Sequence, residues 1–231
     1  MLEGIGLHKA YRSGKATFPA VKGVDIEVPE KAFVAIMGQS GCGKSTLLNL
    51  LAGLDRPDEG EVWIAGEQID QMSESRLATF RRRHVGIVFQ FFHLVQGLSV
   101  AANIELPGRL AGLSARELRT RRDELAERLA ITDLLSKGVN ELSGGQQQRV
   151  AIARAVINKP SVLLADEPTG SVDQETAAQI LKLLRDLNRE GQTIVMVTHD
   201  STVAAAASQL ITMRDGRRTD QPEPGRAAQA N

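Results

Sequence analysis

The chain has 231 residues, with 28 Lys and Arg against 28 Asp and Glu, 42% hydrophobic residues and a single cysteine. That length suffices for one large domain with subdomains and a substantial core, and the charge balance gives no global field for nucleic acid or an anionic membrane, so no nucleic-acid partner is expected. A lone Cys42 excludes an internal disulfide framework, no apolar run approaches the roughly 18 residues of a membrane span, and the start MLEGIGLHKAY lacks a signal-peptide core, so a soluble chain is expected.

Up to about Pro29, apolar and polar residues alternate around Ile5, Leu7, Val24, Ile26 and Val28, which predicts short antiparallel strands with a loop over residues 12–19. Residues 33–37 are continuously apolar and predict a buried strand; residues 46–52 predict a helix stopped by Gly53. Between them runs Gly38-Gln39-Ser40-Gly41-Cys42-Gly43-Lys44-Ser45, followed by Thr46, which is the phosphate-binding P-loop pattern in the strand, loop and helix setting it requires. The glycines free backbone N–H groups to turn toward an anion at the positive end of the helix. Lys44 is placed to reach the β and γ phosphates of a nucleoside triphosphate and the Ser45 hydroxyl to ligate Mg2+. Cys42 reads as loop filler.

Residues 56–60 predict a turn, 61–65 a strand, 75–83 a helix and 85–89 a strand that delivers Gln90. From Phe91 to about Asn140 helical signals replace strand signals, which predicts a helical insertion. Ser114 and Glu117 have capping-box spacing, with Glu117/Arg121 and Glu124/Arg128 as supporting pairs. The basic runs 81–83 and 119–122 admit a nucleic-acid reading or a solvated helix face. Acidic neighbours and the lack of interleaved aromatics around 119–122 favour the second. A helix over 146–157, a strand over 162–165, a helix over 173–188 and a strand over 193–197 then alternate, which implies a mainly parallel sheet. From residue 219 the chain carries Pro, Gly, Gln and Ala without periodicity, and 219–231 is expected to be a disordered tail.

A P-loop alone leaves kinase, GTPase, ATPase and simple binder open. The apolar strand ending in Asp166 and Glu167 narrows this, because a Mg2+–nucleotide site needs carboxylates at the carboxyl edge of the sheet. Asp166 would bind the ion, directly or through water, and Glu167 would polarise the attacking water as general base.

Leu142-Ser143-Gly144-Gly145-Gln146 resembles the signature motif of the ATP-binding cassette (ABC) ATPases. The P-loop, Gln90, this signature, Asp166-Glu167, a loop ending in Asp173 and His199 follow in that family's order and cover the chain up to the tail. The resemblance implies an α/β fold: a P-loop NTPase with a mainly parallel sheet core and an N-terminal antiparallel β subdomain (about 1–90 and 159–218), and an α-helical subdomain insertion (about 91–158). It implies ATP and Mg2+ as ligands, Gln90 at the metal and water, His199 at the γ-phosphate, and Tyr11 stacked on the base unless it is a plain core or surface tyrosine. It further implies a head-to-tail homodimer formed on ATP binding, in which each nucleotide lies between one P-loop and the partner's Ser143-Gly144-Gly145, with Asp173 crossing the interface.

Stretches 86–94, 103–107 and 165–170 are similar to the lipoprotein-release and macrolide-export branch, whose members energise integral membrane permease subunits from the cytoplasmic side of the inner membrane. Contact with such subunits is expected near residues 91–100, where Phe91, Phe92 and Leu94 either dock a partner or fill the subdomain's own core. The alternatives are a soluble ABC ATPase acting on nucleic acid or the ribosome, and a cell-division ABC ATPase. Long heptad coiled coils and a second cassette, which mark the soluble classes, are not present in the sequence.

Overall fold

A computed structural model describes residues 1–14 and 16–220. Strands β1 (Leu2–Ser13) and β2 (Ala16–Val28) form a hairpin, and β3 (Phe33–Met37) leads through the glycine loop into α1 (Lys44–Leu51). Next come β4 (Glu59–Ile64), β5 (Glu67–Gln68), α2 (Glu74–His84) and β6 (Val85–Val88), then α3 (Val100–Leu110), α4 (Ala115–Arg128) and α5 (Gly144–Val156). The chain closes with β7 (Val162–Asp166), α6 (Gln174–Arg189), β8 (Thr193–Thr198), the short α7 (Ser201–Ala204), β9 (Gln209–Arg214) and β10 (Arg217–Arg218).

Two sheets result. One is antiparallel, in the order β2-β1-β4-β5; the other runs β10-β9-β3-β8-β7-β6 and is parallel except at the β9/β10 edge. In the parallel sheet side chains alternate between two cores, as strand geometry requires. Ala35, Leu163 and Met196 face a cluster shared with α3, α4, α5 and α6, while Ile36, Leu164 and Val197 face a cluster shared with α1 and the antiparallel sheet. All six are fully buried, so these strands read as unbroken apolar runs.

The expected loop over 12–19 is wrong. Ladder pairing continues through it, with Tyr11 opposite Phe18 and Arg12 opposite Thr17, and only positions 14 and 15 connect the strands. Gly14 supplies a left-handed φ of +59° at the turn. Residues 16–19 are all exposed, so no burial alternation marked them as strand. The tail boundary also moves: the Thr219 N–H donates to the Thr212 carbonyl (2.9 Å) and Asp220 accepts from Arg218 (2.6 Å). The rest of the expected disordered tail, 221–231, lies outside the described residues.

The Ser114–Glu117 capping box forms as expected. Arg128 pairs with Glu190, the C-cap of α6, and not with Glu124 as expected, because α4 packs this end of the helix beside the end of α6. The basic runs are partly used in packing: Arg81 donates to the Gly53 carbonyl, Arg121 to the Ile157 carbonyl, and Arg122 to the buried Glu105. Among the described residues no helix is long and apolar enough to cross a membrane.

Candidate functional site

The glycines of the P-loop are fixed by close approach. A Cβ at Gly38 would lie 2.3 Å from the Met213 carbonyl oxygen, and one at Gly43, where φ is +101°, would lie 2.1 Å from that of Ala20. The turn between β9 and β10 braces the loop from behind: the Gly216 N–H donates to the Cys42 carbonyl (3.0 Å), and the Gly216 carbonyl accepts from the Lys22 N–H (2.8 Å). Cys42 is buried with its Sγ beside Gly38, as a filler would be.

The start of α1 is electropositive and uncapped. Helices α2 to α7 each begin with a Ser or Asp side chain accepting a backbone N–H, whereas α1 begins at Gly43 with none. Its first N–H groups and its dipole are therefore left for an anion. Lys44 is 6% exposed, and its ammonium donates to the carbonyls of Gly38 (2.8 Å) and Gln39 (2.9 Å), which folds it over the loop.

Across from α1 stand the ends of β7 and β8. The Ser45 hydroxyl donates to Asp166 Oδ1 (3.1 Å). Burial pushes the Asp166 carboxyl up; the Ser45 hydrogen bond and Lys44 oppose this, and the adjacent Glu167 adds to it. Glu167 leaves the strand with φ +44°, its N–H donating to the Val197 carbonyl (3.0 Å) and its carbonyl accepting from the Gly170 N–H (3.0 Å). Its Oε1 lies 2.8 Å from His199 Nδ1. An ionised carboxylate can only accept, so Nδ1 carries the proton. Gln90, just past β6, has its amide beside Gly170: a Cβ there would sit 3.0 Å from Gln90 Nε2.

Ser40, Gly41, Gly43, Lys44, Ser45, Thr46, Gln90, Asp166, Glu167 and His199, together with Ala20, line one open cavity of about 490 Å³. The sequence pointed to all of these except Ala20, which reaches the site by the pairing of β1 and β2 and has no motif of its own. Tyr11 stands outside the cavity wall. The residue is 41% exposed and its hydroxyl donates to Asp55 Oδ2 (2.8 Å), with Thr46 nearby.

The signature residues stand elsewhere. Ser143 is exposed and is the N-cap of α5, its Oγ accepting from the Gln146 N–H (3.3 Å) while Gln146 Oε1 accepts from the Ser143 N–H (2.9 Å). The helix was expected to begin at Gln146, after the glycines; Gly144 and Gly145 are instead its first two residues, because the capping box closes around them. A Cβ at Gly145 would lie 2.4 Å from Thr176 Cγ2, so this glycine also serves the packing of α5 on α6. Asp173, also exposed, caps α6 by accepting from the Thr176 N–H (2.9 Å) and hydroxyl (2.7 Å).

Among the described residues no group of three or more His, Cys, Asp or Glu gathers around a metal position. The donors around the end of β7 are the Asp166 and Glu167 carboxylates, the Ser45 hydroxyl and the Gln90 amide. That set fits Mg2+, which is held by one or two carboxylates with the remaining positions left to substrate phosphates and water.

Residues 21–170 match the family described as ABC transporter. The chain belongs to the ABC transporter family. It is 45% identical over 227 residues, 96% of its length, to the macrolide export ATP-binding/permease protein MacB of Rhodopseudomonas palustris, and spans only 35% of that protein. An uncharacterized ABC transporter ATP-binding protein of Methanocaldococcus jannaschii is 45% identical over 94% of this chain and 96% of its own. Among solved structures, a dimeric bacterial ABC transporter cassette superposes with a TM-score of 0.88 at 41% identity, covering 94% of this chain and 96% of that one. A second, described as a dimeric post-hydrolysis state bound to ADP and Pi, gives 0.88 at 40% identity over the same shares. This chain therefore has the ABC cassette's α/β fold with its N-terminal antiparallel sheet, and its relatives include macrolide export ATP-binding/permease proteins.

Proposed function

We propose that this cassette hydrolyses ATP in a head-to-tail homodimer and thereby drives integral membrane permease subunits on the cytoplasmic face of the inner membrane. The observation that carries the reading is the separation of two anion-suited sites. The cavity at the P-loop gathers Lys44, the uncapped α1, Asp166, Glu167 and His199, while exposed Ser143 lies at the start of another helix and outside that cavity. Ser143 and Gly144 can complete a nucleotide site only on a second copy.

In this reading the P-loop N–H groups and Lys44 bind the β and γ phosphates, and the Lys44 bonds to Gly38 and Gln39 are exchanged for phosphate oxygens. Ser45, Gln90 and Asp166 would hold Mg2+, which when bound neutralises charge developing on the phosphates. Glu167 orients and deprotonates the attacking water, and the His199 Nδ1–H keeps its carboxylate aimed before the γ-phosphate arrives. Tyr11 offers a ring for the base. Asp173 and Gln146 belong to the surface that meets the partner.

For the permease, Phe91 is the feature of interest, since it is 69% exposed, whereas Leu94 is buried and Phe92 packs against the core. Leu94 and Phe92 thus serve the subdomain's own core, and the exposure of Phe91 supports its reading as the docking residue. Support for a membrane role also comes from the relatives, of which one is an export ATP-binding/permease protein and another, cbiO1 of Clostridium perfringens, is described as part of the ABC transporter complex cbiONQ; it gives a TM-score of 0.83 at 32% identity over 94% of this chain and 86% of that one.

The test is sizing of the Glu167→Gln chain with ATP and Mg2+, with and without a second change, Ser143→Arg. A dimer for the single variant and a monomer for the double variant is the expected result. Dimerisation unaffected by Ser143→Arg would remove Ser143 from the nucleotide interface.

A further inference from the structure

The loop after Gln90 contains two consecutive non-glycine residues in the left-handed region, Phe92 (φ +55°) and His93 (φ +47°). Non-glycine residues in that region are strained and persist only where surrounding structure holds them. Backbone bonds from the Phe92 N–H to the Phe89 carbonyl (3.3 Å) and from the His93 N–H to the Phe91 carbonyl (2.5 Å) close the turn, and one side chain of α5 grips it from outside. Arg154 Nη1 donates to the His93 carbonyl (2.5 Å) and Nη2 to the Phe92 carbonyl (2.8 Å). Among the described residues these are its hydrogen bonds, and burial pushes its guanidinium down from its ordinary pKa.

The same loop touches α5 again at the helix's other end. A Cβ at Gly144 would lie 3.6 Å from Phe92 Cζ, so the Phe92 ring rests on the first turn of the helix that Ser143 caps. From the far side, the fully buried Asn103 of α3 fixes residues 95–99: its Oδ1 accepts from the Val95 N–H (2.8 Å) and its Nδ2 donates to the carbonyls of Val95 (3.1 Å) and Ser99 (3.1 Å). The segment from Gln90 to α3 is thus clamped at both ends, and its upstream clamp belongs to α5.

We propose that Arg154 is a positioning residue for Gln90: its two-pronged hold on Phe92 and His93 fixes where the Gln90 amide stands and ties that position to the helix headed by Ser143. This rests on the reading of Gln90 as a residue of the hydrolytic site. Arginine suits the task because its planar fork meets two successive carbonyls at once, which a lysine ammonium on a flexible stem cannot reproduce. A shift of the loop that carries exposed Phe91 then moves Gln90 and the head of α5 together.

The experiment compares steady-state ATP turnover of the parent, Arg154→Lys, Gln90→Ala and the double variant, with Tm measured for each. Arg154→Lys keeps charge and length, so the fold is retained where truncation would endanger it. Expected are a fall in kcat of about tenfold for Arg154→Lys, a KM for ATP within about twofold of the parent, and a double variant no slower than Gln90→Ala alone. Losses that multiply in the double variant, an effect confined to KM, or a lowered Tm with parental kcat would overturn the proposal. If Gln90→Ala turns over like the parent, the assignment of Gln90 itself falls and this inference with it. If Gln90→Ala is impaired but Arg154→Lys is not, only this inference falls.

Discussion

His199 Nδ1 lies 2.8 Å from Glu167 Oε1, and the two residues stand at the carboxyl ends of neighbouring parallel strands, β8 and β7. The pairing gives each a role that the other makes possible: the carboxylate fixes the imidazole tautomer, and the imidazole holds the carboxylate in a single orientation. Loss of the base in Glu167→Gln should lower kcat by about 10²–10⁴-fold with nucleotide binding retained. His199→Ala should lower kcat by a smaller factor, and combining the two should add little, because the histidine acts largely through Glu167. Single-turnover hydrolysis with radiolabelled ATP measures all three.

Lys44 is buried, and its hydrogen-bond partners among the described residues are the carbonyls of Gly38 and Gln39, the arrangement of a cation waiting for an anion. Replacing it with alanine removes charge-assisted bonds to phosphate worth about 1.5–3 kcal/mol, so the Kd for ATP should rise roughly 10- to 150-fold. Isothermal titration of the two chains reads this directly.

Asp166 carries a pH signature. Its folded-state pKa is raised, chiefly by burial, so the folded chain binds this proton more tightly than the unfolded one does. Such a group destabilises the protein as pH rises through and above its unfolded value, and is neutral to stability well below it. Asp166→Asn keeps an oxygen for the Ser45 hydroxyl and should raise the Tm of the nucleotide-free chain at pH 7. The gain should vanish as pH falls below the ordinary carboxylate range, and Mg2+-dependent turnover should be lost. Thermal melts across pH 3–8 test the sign.

Asn103 should prove a stability residue. Its side chain is fully buried and engages the backbone of Val95 and Ser99. Asn103→Ala would strand those groups away from water, at about 2–3 kcal/mol, visible in urea unfolding.

The parts of the site that lie close together in sequence were legible before the fold was known. The P-loop pattern required a strand and a helix around it, and the acidic pair at 166–167 had to end a buried strand; both are so placed. The β9–β10 turn behind the P-loop was missed because only Ile211 and Met213 of β9 are buried while the apolar Leu210 is exposed, so the run shows neither a continuous apolar stretch nor a clean alternation. Arg154 and Asn103 were missed for another reason. Each sits in a helix where its residue type is unremarkable, and its importance arises only where the chain returns to Phe92, His93 and Val95. Residues 16–19 gave no strand signal, since all four are exposed.

The dimer remains the decisive matter, because Ser143, the N-cap of α5, is not among the residues lining the cavity that holds Lys44. ATP turnover per chain should be measured across a wide range of protein concentration with Mg2+ present, with light scattering on the same samples. Turnover per chain that climbs with concentration, together with a Glu167→Gln chain that reaches twice the single-chain mass on adding ATP, is the expected outcome. Turnover independent of concentration from a chain that stays monomeric with ATP bound would show that one copy hydrolyses alone, and would refute the composite site.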